Sequence, residues 1–320
     1  MRVDGWVDVH AHFSPPESEE VRAQRLEAMK QACWNIGAPP RWDAETSLAY
    51  MDRTGIAMQM LSNIPKKLDA LRASNEYGAC MVKKHPSRFG LLAALPTDNA
   101  EAALAEIARA YGELHADGFA VTCCYNSVYL SDEKLDPVWA ELDRRRAVVF
   151  AHPDAYAPGV MGRPCALQEV AFETARTFTD MLYRGTFRKF PNVKFVVAHC
   201  GGALPALSGR LLILGNEKWV PNPQRVTQVE MRQHLRRLHL DTAATCPTAL
   251  GAALAMTTHE QLVYGSDCGV PCTTDATMDA NIEALRGYAG LTREQVEDIG
   301  RAALRLFPAA AERIRTGSLL

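Results

Sequence analysis

Short runs of apolar and β-branched residues recur along the chain, and each is followed by a longer stretch in which apolar positions return every three or four residues. Eight such runs occur, at residues 6–10, 56–61, 89–95, 118–122, 147–152, 193–199, 237–241 and 262–267. Runs this short suit strands buried on both faces, and the stretches between them, such as 45–53, 100–115, 135–145 and 247–259, suit helices with one apolar face. Strand and helix in strict alternation predict βα units around a parallel sheet, and eight units predict a closed (β/α)8 barrel, the TIM-barrel form of the α/β class. Helix starts are marked by Asp98 or Asn99, by Asp132, and by Thr292 with Gln295 as a capping box. Residues 14–42 break the alternation. They hold a turn-rich loop and one helix, and an insertion after the first strand of a barrel lies over the mouth, so a small partial lid is expected there. No linker or low-complexity tract divides the chain, and residues 1–320 are read as one domain.

Composition narrows the partners. With 48% hydrophobic and 22% charged residues among 320, the chain has the apolar content of a soluble globule with a large core. Lys plus Arg number 35 against Asp plus Glu 37, a formal charge of −2. That balance offers no electrostatic footprint for nucleic acid or an anionic membrane, and a small-molecule partner is expected. The nine cysteines are odd in number, and Cys123 adjoins Cys124, so they read as reduced thiols rather than a disulfide framework. No apolar run approaches the ~18 residues of a membrane span, nor does the start resemble a signal peptide. A cytoplasmic location is expected.

The candidate chemistry lies at the strand ends. His10 and His12 end the first run, His152 the fifth, His199 the sixth and Asp267 the eighth. In a βα barrel the C-terminal strand ends converge on one mouth, so these distant residues become neighbours. One intervening residue lets His10 and His12 face the same side. Imidazoles with a carboxylate suit a divalent transition metal, Zn²⁺ foremost, with Mn²⁺ or Co²⁺ tolerated, and an open position admits water or substrate. The remaining histidines, at 85, 115, 234, 239 and 259, sit in capping, polar helical or structural contexts. Cys200 and Cys268 adjoin site residues, but strand neighbours point to opposite faces, so they read as small buried residues behind the site. Trp42, Tyr125, Asn126 and Trp219 follow strand ends and are candidate pocket residues.

The segments Val7-Asp8-Val9-His10-Ala11-His12-Phe13, Met51-Asp52-Arg53-Thr54-Gly55-Ile56, Ala151-His152-Pro153, Ala198-His199-Cys200-Gly201-Gly202, Asp241-Thr242-Ala243 and Gly265-Ser266-Asp267 occur in order over nearly the whole length. Together they resemble the aminocarboxymuconate-semialdehyde decarboxylase family of the amidohydrolase superfamily, nearest its methylsalicylate-type branch. The resemblance implies one metal ion held by His10, His12, His152 and Asp267, with His199 behind them to orient or deprotonate the metal's water or to handle a substrate proton. Dinuclear relatives carry a bridging lysine on strand four; residues 118–123 contain none, which favours one metal.

What the resemblance implies for function is a metal-dependent, non-oxidative decarboxylase of a small aromatic or unsaturated carboxylic acid, with Asp267 or His199 as proton donor. A hydrolase or hydratase acting on a lactone, amide or enol acid uses the same ligands and is the alternative. A non-catalytic metal-binding scaffold is the third reading. The family also implies a homodimer and assigns Arg210 to substrate binding, in reach of a neighbouring subunit's site; Trp42 joins it as a substrate-binding candidate. Three departures stand out. Only Arg41, out of register, lies near the family's substrate-gripping loop arginine, Cys268-Gly269-Val270 replaces an aromatic Tyr-Pro-Phe, and Arg301 replaces an asparagine.

Overall fold

A computed structural model describes residues 2–244 and 246–317. Eight strands form where the apolar runs lie: β1 (Trp6–His12), β2 (Ile56–Ser62), β3 (Phe89–Ala94), β4 (Gly118–Thr122), β5 (Val148–His152), β6 (Lys194–Val197), β7 (His239–Asp241) and β8 (Leu262–Val263). Each pairs in parallel with the next in a single sheet. Between last and first strands the sheet closes through backbone hydrogen bonds from Val9 N–H to the Tyr264 carbonyl (3.0 Å), Asp267 N–H to that of His10 (2.9 Å) and His12 N–H to that of Cys268 (2.8 Å). The result is the expected (β/α)8 barrel.

Around it run α1 (Glu19–Gln31), α2 (Ala44–Thr54), α3 (Leu68–Lys84), α4 (Ala100–Gly112), α5 (Asp136–Arg144), α6 (Glu169–Tyr183), α7 (Thr186–Lys189), α8 (Leu204–Leu214), α9 (Gln228–Arg236), α10 (Pro247–Met256), α11 (Asp275–Arg286), α12 (Arg293–Arg301), α13 (Ala303–Leu306) and α14 (Pro308–Gly317). Asn99 is the residue that caps α4, its side chain accepting from Ala102 N–H at 3.0 Å, and Thr292 with Gln295 forms the capping box of α12. Asp132 caps a short 3-10 turn ahead of α5 rather than the α-helix itself. The 14–42 insertion contains α1, capped by Ser18. A two-residue hairpin, Cys124–Tyr125 against Val128–Tyr129, was not expected; strands this short leave no period to read.

Alternation along the strands divides the core in two. Val7, Val9, Met58, Met60, Leu92, Val148, Phe150 and Val196 fill the barrel interior, while their strand neighbours Leu61, Leu91, Phe119, Val149, Phe195 and Leu240 face the surrounding helices. The interior cluster also contains Ala303, Leu306, Phe307 and Ala310 from α13 and α14. These close the N-terminal end: a Cβ on Gly118, the first residue of β4, would stand 3.1 Å from the Phe307 ring, and Arg313 ion-pairs with Asp117 at 2.9 Å just before it. The barrel is thus stoppered at one end by its own C-terminal helices and is left to open at the other.

All nine cysteines are free thiols. Among the described residues no helix is long and apolar enough to cross a membrane. The stopper makes a stability prediction. Phe307 is 2% exposed, and Phe307→Ala removes its ring from the base of the interior, so unfolding in denaturant should occur at lower concentration, with a loss of ~3–5 kcal/mol.

Candidate metal centre

Four elements deliver the site. β1 ends in His10 and His12, β5 in His152; His199 follows β6, and Asp267 follows β8. The ligand atoms of His10, His152, His199 and Asp267 all lie within 4.8 Å of one another. His12 joins them through its Nε2, 3.0 Å from His10 Nε2 and 3.3 Å from Asp267 Oδ1. Asp267 Oδ1 is also 3.2 Å from His10 Nε2, and its Oδ2 is 3.7 Å from His199 Nε2. His199, expected behind the ligands, brings a ring nitrogen into the same cluster, beside Asp267. Trp42 is not brought here: it packs among Phe13, Tyr77 and Phe89, with ring centroids 5.9–6.2 Å apart, between the barrel and its outer helices.

The backbone bends to make this convergence. His199, Cys200 and Asp267 have φ of 54°, 56° and 60°, a left-handed conformation that side-chain-bearing residues adopt at a cost of order 1–3 kcal/mol each. This is why β6 stops at Val197 and β8 at Val263, short of the residues that carry the chemistry. Gly202 completes the turn after His199, because a Cβ there would meet the Ala171 carbonyl oxygen at 2.6 Å. Gly269 likewise lets the chain pass the His12 carbonyl, which a Cβ would meet at 2.2 Å.

Hydrogen bonds behind the rings set which nitrogen faces the centre. His10 Nδ1–H donates to Asp241 Oδ2 at 2.7 Å, and His152 Nδ1–H donates to the Pro153 carbonyl at 2.6 Å. Each leaves Nε2 pointing at the centre, and His152 Nε2 is buried with no hydrogen-bond partner. Burial, reinforced by His12, His10 and His199, holds the His152 imidazole well below its usual range, and burial also lowers His12 against the pull of Asp267. Burial favours a neutral Asp267, yet His10 and hydrogen bonds from His10, His12 and His199 hold it well below the usual carboxylate range. Burial likewise opposes charge on His10, but Asp241 and then Asp267 raise it to about 10. The pair of carboxylates thus demands positive charge beside His10 Nε2, and a divalent cation meets that demand while displacing the proton. Neutral imidazoles, an ionised carboxylate and an orphaned inward nitrogen fit a metal ion.

Two carboxylates that support the centre went unassigned on sequence grounds. Asp241, at the end of β7, orients His10 and accepts from Ala243 N–H at 2.9 Å. Its sequence signals are that, like the other site residues, it ends a barrel strand, and that it opens the segment Asp241-Thr242-Ala243. Asp8 is fully buried and accepts from Ser266 N–H (2.9 Å), Ser266 Oγ–H (2.6 Å), Gln59 Nε2–H (3.1 Å) and His10 N–H (3.1 Å), fixing the residue before Asp267 against β1. Burial still pushes its carboxyl up to about 6.

The other candidates lie elsewhere. Arg210 is exposed on α8, beside a groove with Phe172, Leu207 and Trp219. Tyr125 donates its hydroxyl to the Pro65 carbonyl (2.8 Å), and Asn126 donates to Asp98 (2.8 Å). Arg41 pairs with Glu19, and Arg301 pairs with Glu297 and donates to the Asp4 carbonyl, away from the mouth. Cys200 is buried, and burial pushes its thiol far up and that of Cys268 up to about 12, so neither offers a ready thiolate.

Residues 7–309 match the profile of a family described as amidohydrolase. A decarboxylase of Aspergillus niger, yanB, is 30% identical over 94% of this chain and 87% of its own length. The 6-methylsalicylic acid decarboxylase of Penicillium expansum is 28% identical over 94% of this chain and 96% of its own length. Among solved structures, one described as amidohydrolase II superposes with a TM-score of 0.81 at 26% identity, covering 95% of this chain and all of the other. A Polaromonas dihydroxybenzoic acid decarboxylase with bound manganese and 2-nitroresorcinol shares the fold at a TM-score of 0.75 and 20% identity, over 98% of this chain and 99% of the other.

The support given by Asp241 is directly measurable. Asp241→Asn keeps the shape but removes the charge that orients His10, and metal affinity, read by competition with a chelator, should fall ~10–100-fold while the fold stays intact.

Proposed function

Because the chain belongs to the amidohydrolase family, we propose that His10, His12, His152 and Asp267 hold one divalent metal, with His199 beside them as the proton donor, and that it is a non-oxidative decarboxylase, a carboxy-lyase, of a small aromatic carboxylic acid. The observation that carries this is the convergence of His10, His152, His199 and Asp267 within 4.8 Å, with His10 and His152 oriented from behind. The named decarboxylases that align along nearly the whole chain supply the reaction class. Zn²⁺ suits a set rich in imidazole, and the manganese of a structural neighbour marks Mn²⁺ as the competing choice.

Bound here, the ion supplies Lewis acidity for the substrate's carboxylate and a neighbouring oxygen. The protein's own groups handle the proton. Loss of carbon dioxide breaks a carbon–carbon bond and leaves the electron pair on the ring carbon, which must take up one proton. His199 Nε2, 3.7 Å from Asp267 Oδ2, is placed to deliver it, and Asp267 keeps that imidazole pointed inward. Residues 14–42 act as a partial lid in this reading: Trp34 of the insertion packs on Tyr156 of the loop after β5, with ring centroids 5.9 Å apart.

The partly exposed apolar groove beside Arg210, which includes Leu207 (38% exposed) and Trp219 (69%), supports a homodimer in which Arg210 lies near the partner's mouth. Reduced thiols throughout fit the cytoplasm. Light scattering should then give twice the chain mass, and Trp219→Glu should halve it.

For the chemistry, carbon dioxide release from hydroxybenzoate-type acids by metal-loaded protein is the direct test. His10→Ala should lose both metal and release, whereas His199→Ala should keep most metal and lose ~10²–10⁴-fold in turnover. Solvent oxygen-18 in the product, without carbon dioxide, would replace the reading with hydrolysis or hydration.

A further inference from the structure

The end of the barrel opposite the metal carries a second concave feature. A cleft of about 770 Å³ opens beside the stopper, lined by Arg146, Lys194, Arg236 and Arg237 with His234 and His239. These residues precede or begin β5, β6 and β7 or end α9, so they gather at the N-terminal strand ends. One carboxylate, Glu260, shares the lining. Among the described residues no carboxylate lies in ion-pair contact with Arg146, Lys194 or Arg236, whereas most arginines elsewhere on the surface are paired, Arg53, Arg109, Arg144 and Arg188 among them. A chain with a net charge of −2 has thus concentrated unneutralised positive charge in one hollow.

Two polar atoms in the wall lack partners. His239 Nδ1 and His234 Nδ1 are buried with no hydrogen bond. Burial, with Lys194 and Arg305 adding to it, lowers the His239 imidazole to about 4, so it stays neutral beside these cations. Guanidinium forks match tetrahedral oxyanions two oxygens at a time. The cleft falls in the size range of small-ligand sites, ~300–1,000 Å³.

We infer that this cleft is a second binding site, for a small polyanion of the phosphate class carrying two or more negative charges, a diphosphate or a phosphate ester. An aromatic monocarboxylate, the substrate proposed for the metal centre, carries too little charge to neutralise three unpaired cations, and the two sites lie at opposite ends of the strands. The inference is independent of the reaction assigned to that centre.

Calorimetric titration of the metal-loaded protein with inorganic pyrophosphate tests it, with the double variant Lys194→Gln/Arg236→Gln alongside. Both proteins hold the same metal centre, so the difference between them reads the cleft alone. The double variant should bind at least ten-fold more weakly and retain its metal content; Arg146→Gln, an exposed change that spares the strands, should weaken binding in the same direction. Equal binding by wild type and both variants would overturn the site. Citrate at matched ionic strength binding as tightly as pyrophosphate would overturn the phosphate class. Adenosine triphosphate binding as tightly as pyrophosphate supports a phosphate-ester ligand, and tighter pyrophosphate binding supports a free diphosphate.

Discussion

The negative charge of Asp267 is the constraint around which the open end of the barrel is built. Its carboxylate lies within 3.2–3.7 Å of three imidazoles while only 8% of its side chain meets solvent. A buried carboxylate survives only where other groups repay its desolvation. That repayment accounts for the histidines at or just past the ends of three strands, which meet at one point, and for Asp241 behind His10. The left-handed backbone of Asp267 and His199 belongs to the same account, since it departs from regular strand geometry at the residues whose side chains meet at the centre.

The two ends of the barrel have been given opposite electrostatic tasks by the same strands. β7 shows this in three residues: His239 lies beside cations at one end, and Asp241 holds His10 at the other. Between them Leu240 packs outward against the helices, so each end is held rigidly with respect to the other. The packed interior, from Val7 and Met58 down to Phe307, lies between the two ends. Parallel strands make such a division natural, because all their starts lie at one rim and all their ends at the other.

Much of this is legible in the sequence, for physical reasons. Strands buried on both faces must be apolar throughout, which is why all eight were visible as short runs. The metal-type residues stood out because they interrupt those runs at a fixed place, their last residue. Supporting carboxylates are harder to see: Asp8 lies within an apolar run, and its role rests on Ser266, 258 positions away, which no local pattern reveals. Arg210 and Trp42 show a different limit. Their distance from the mouth depends on which way a helix face or an inserted loop turns in space. Trp42 turned outward, into the layer between β3 and α3. Family likeness placed His199 behind the metal, and only coordinates show how near its ring stands to Asp267.

The centre draws on residues from both ends of the chain, His10 near the first and Asp267 near the last, and the barrel closes only when β8 meets β1. A ribosome making ~5–20 residues per second needs on the order of 10–50 s between those two codons. The donor set is complete only after that interval, once β8 has closed on β1, so that ion binding and closure of the barrel are linked.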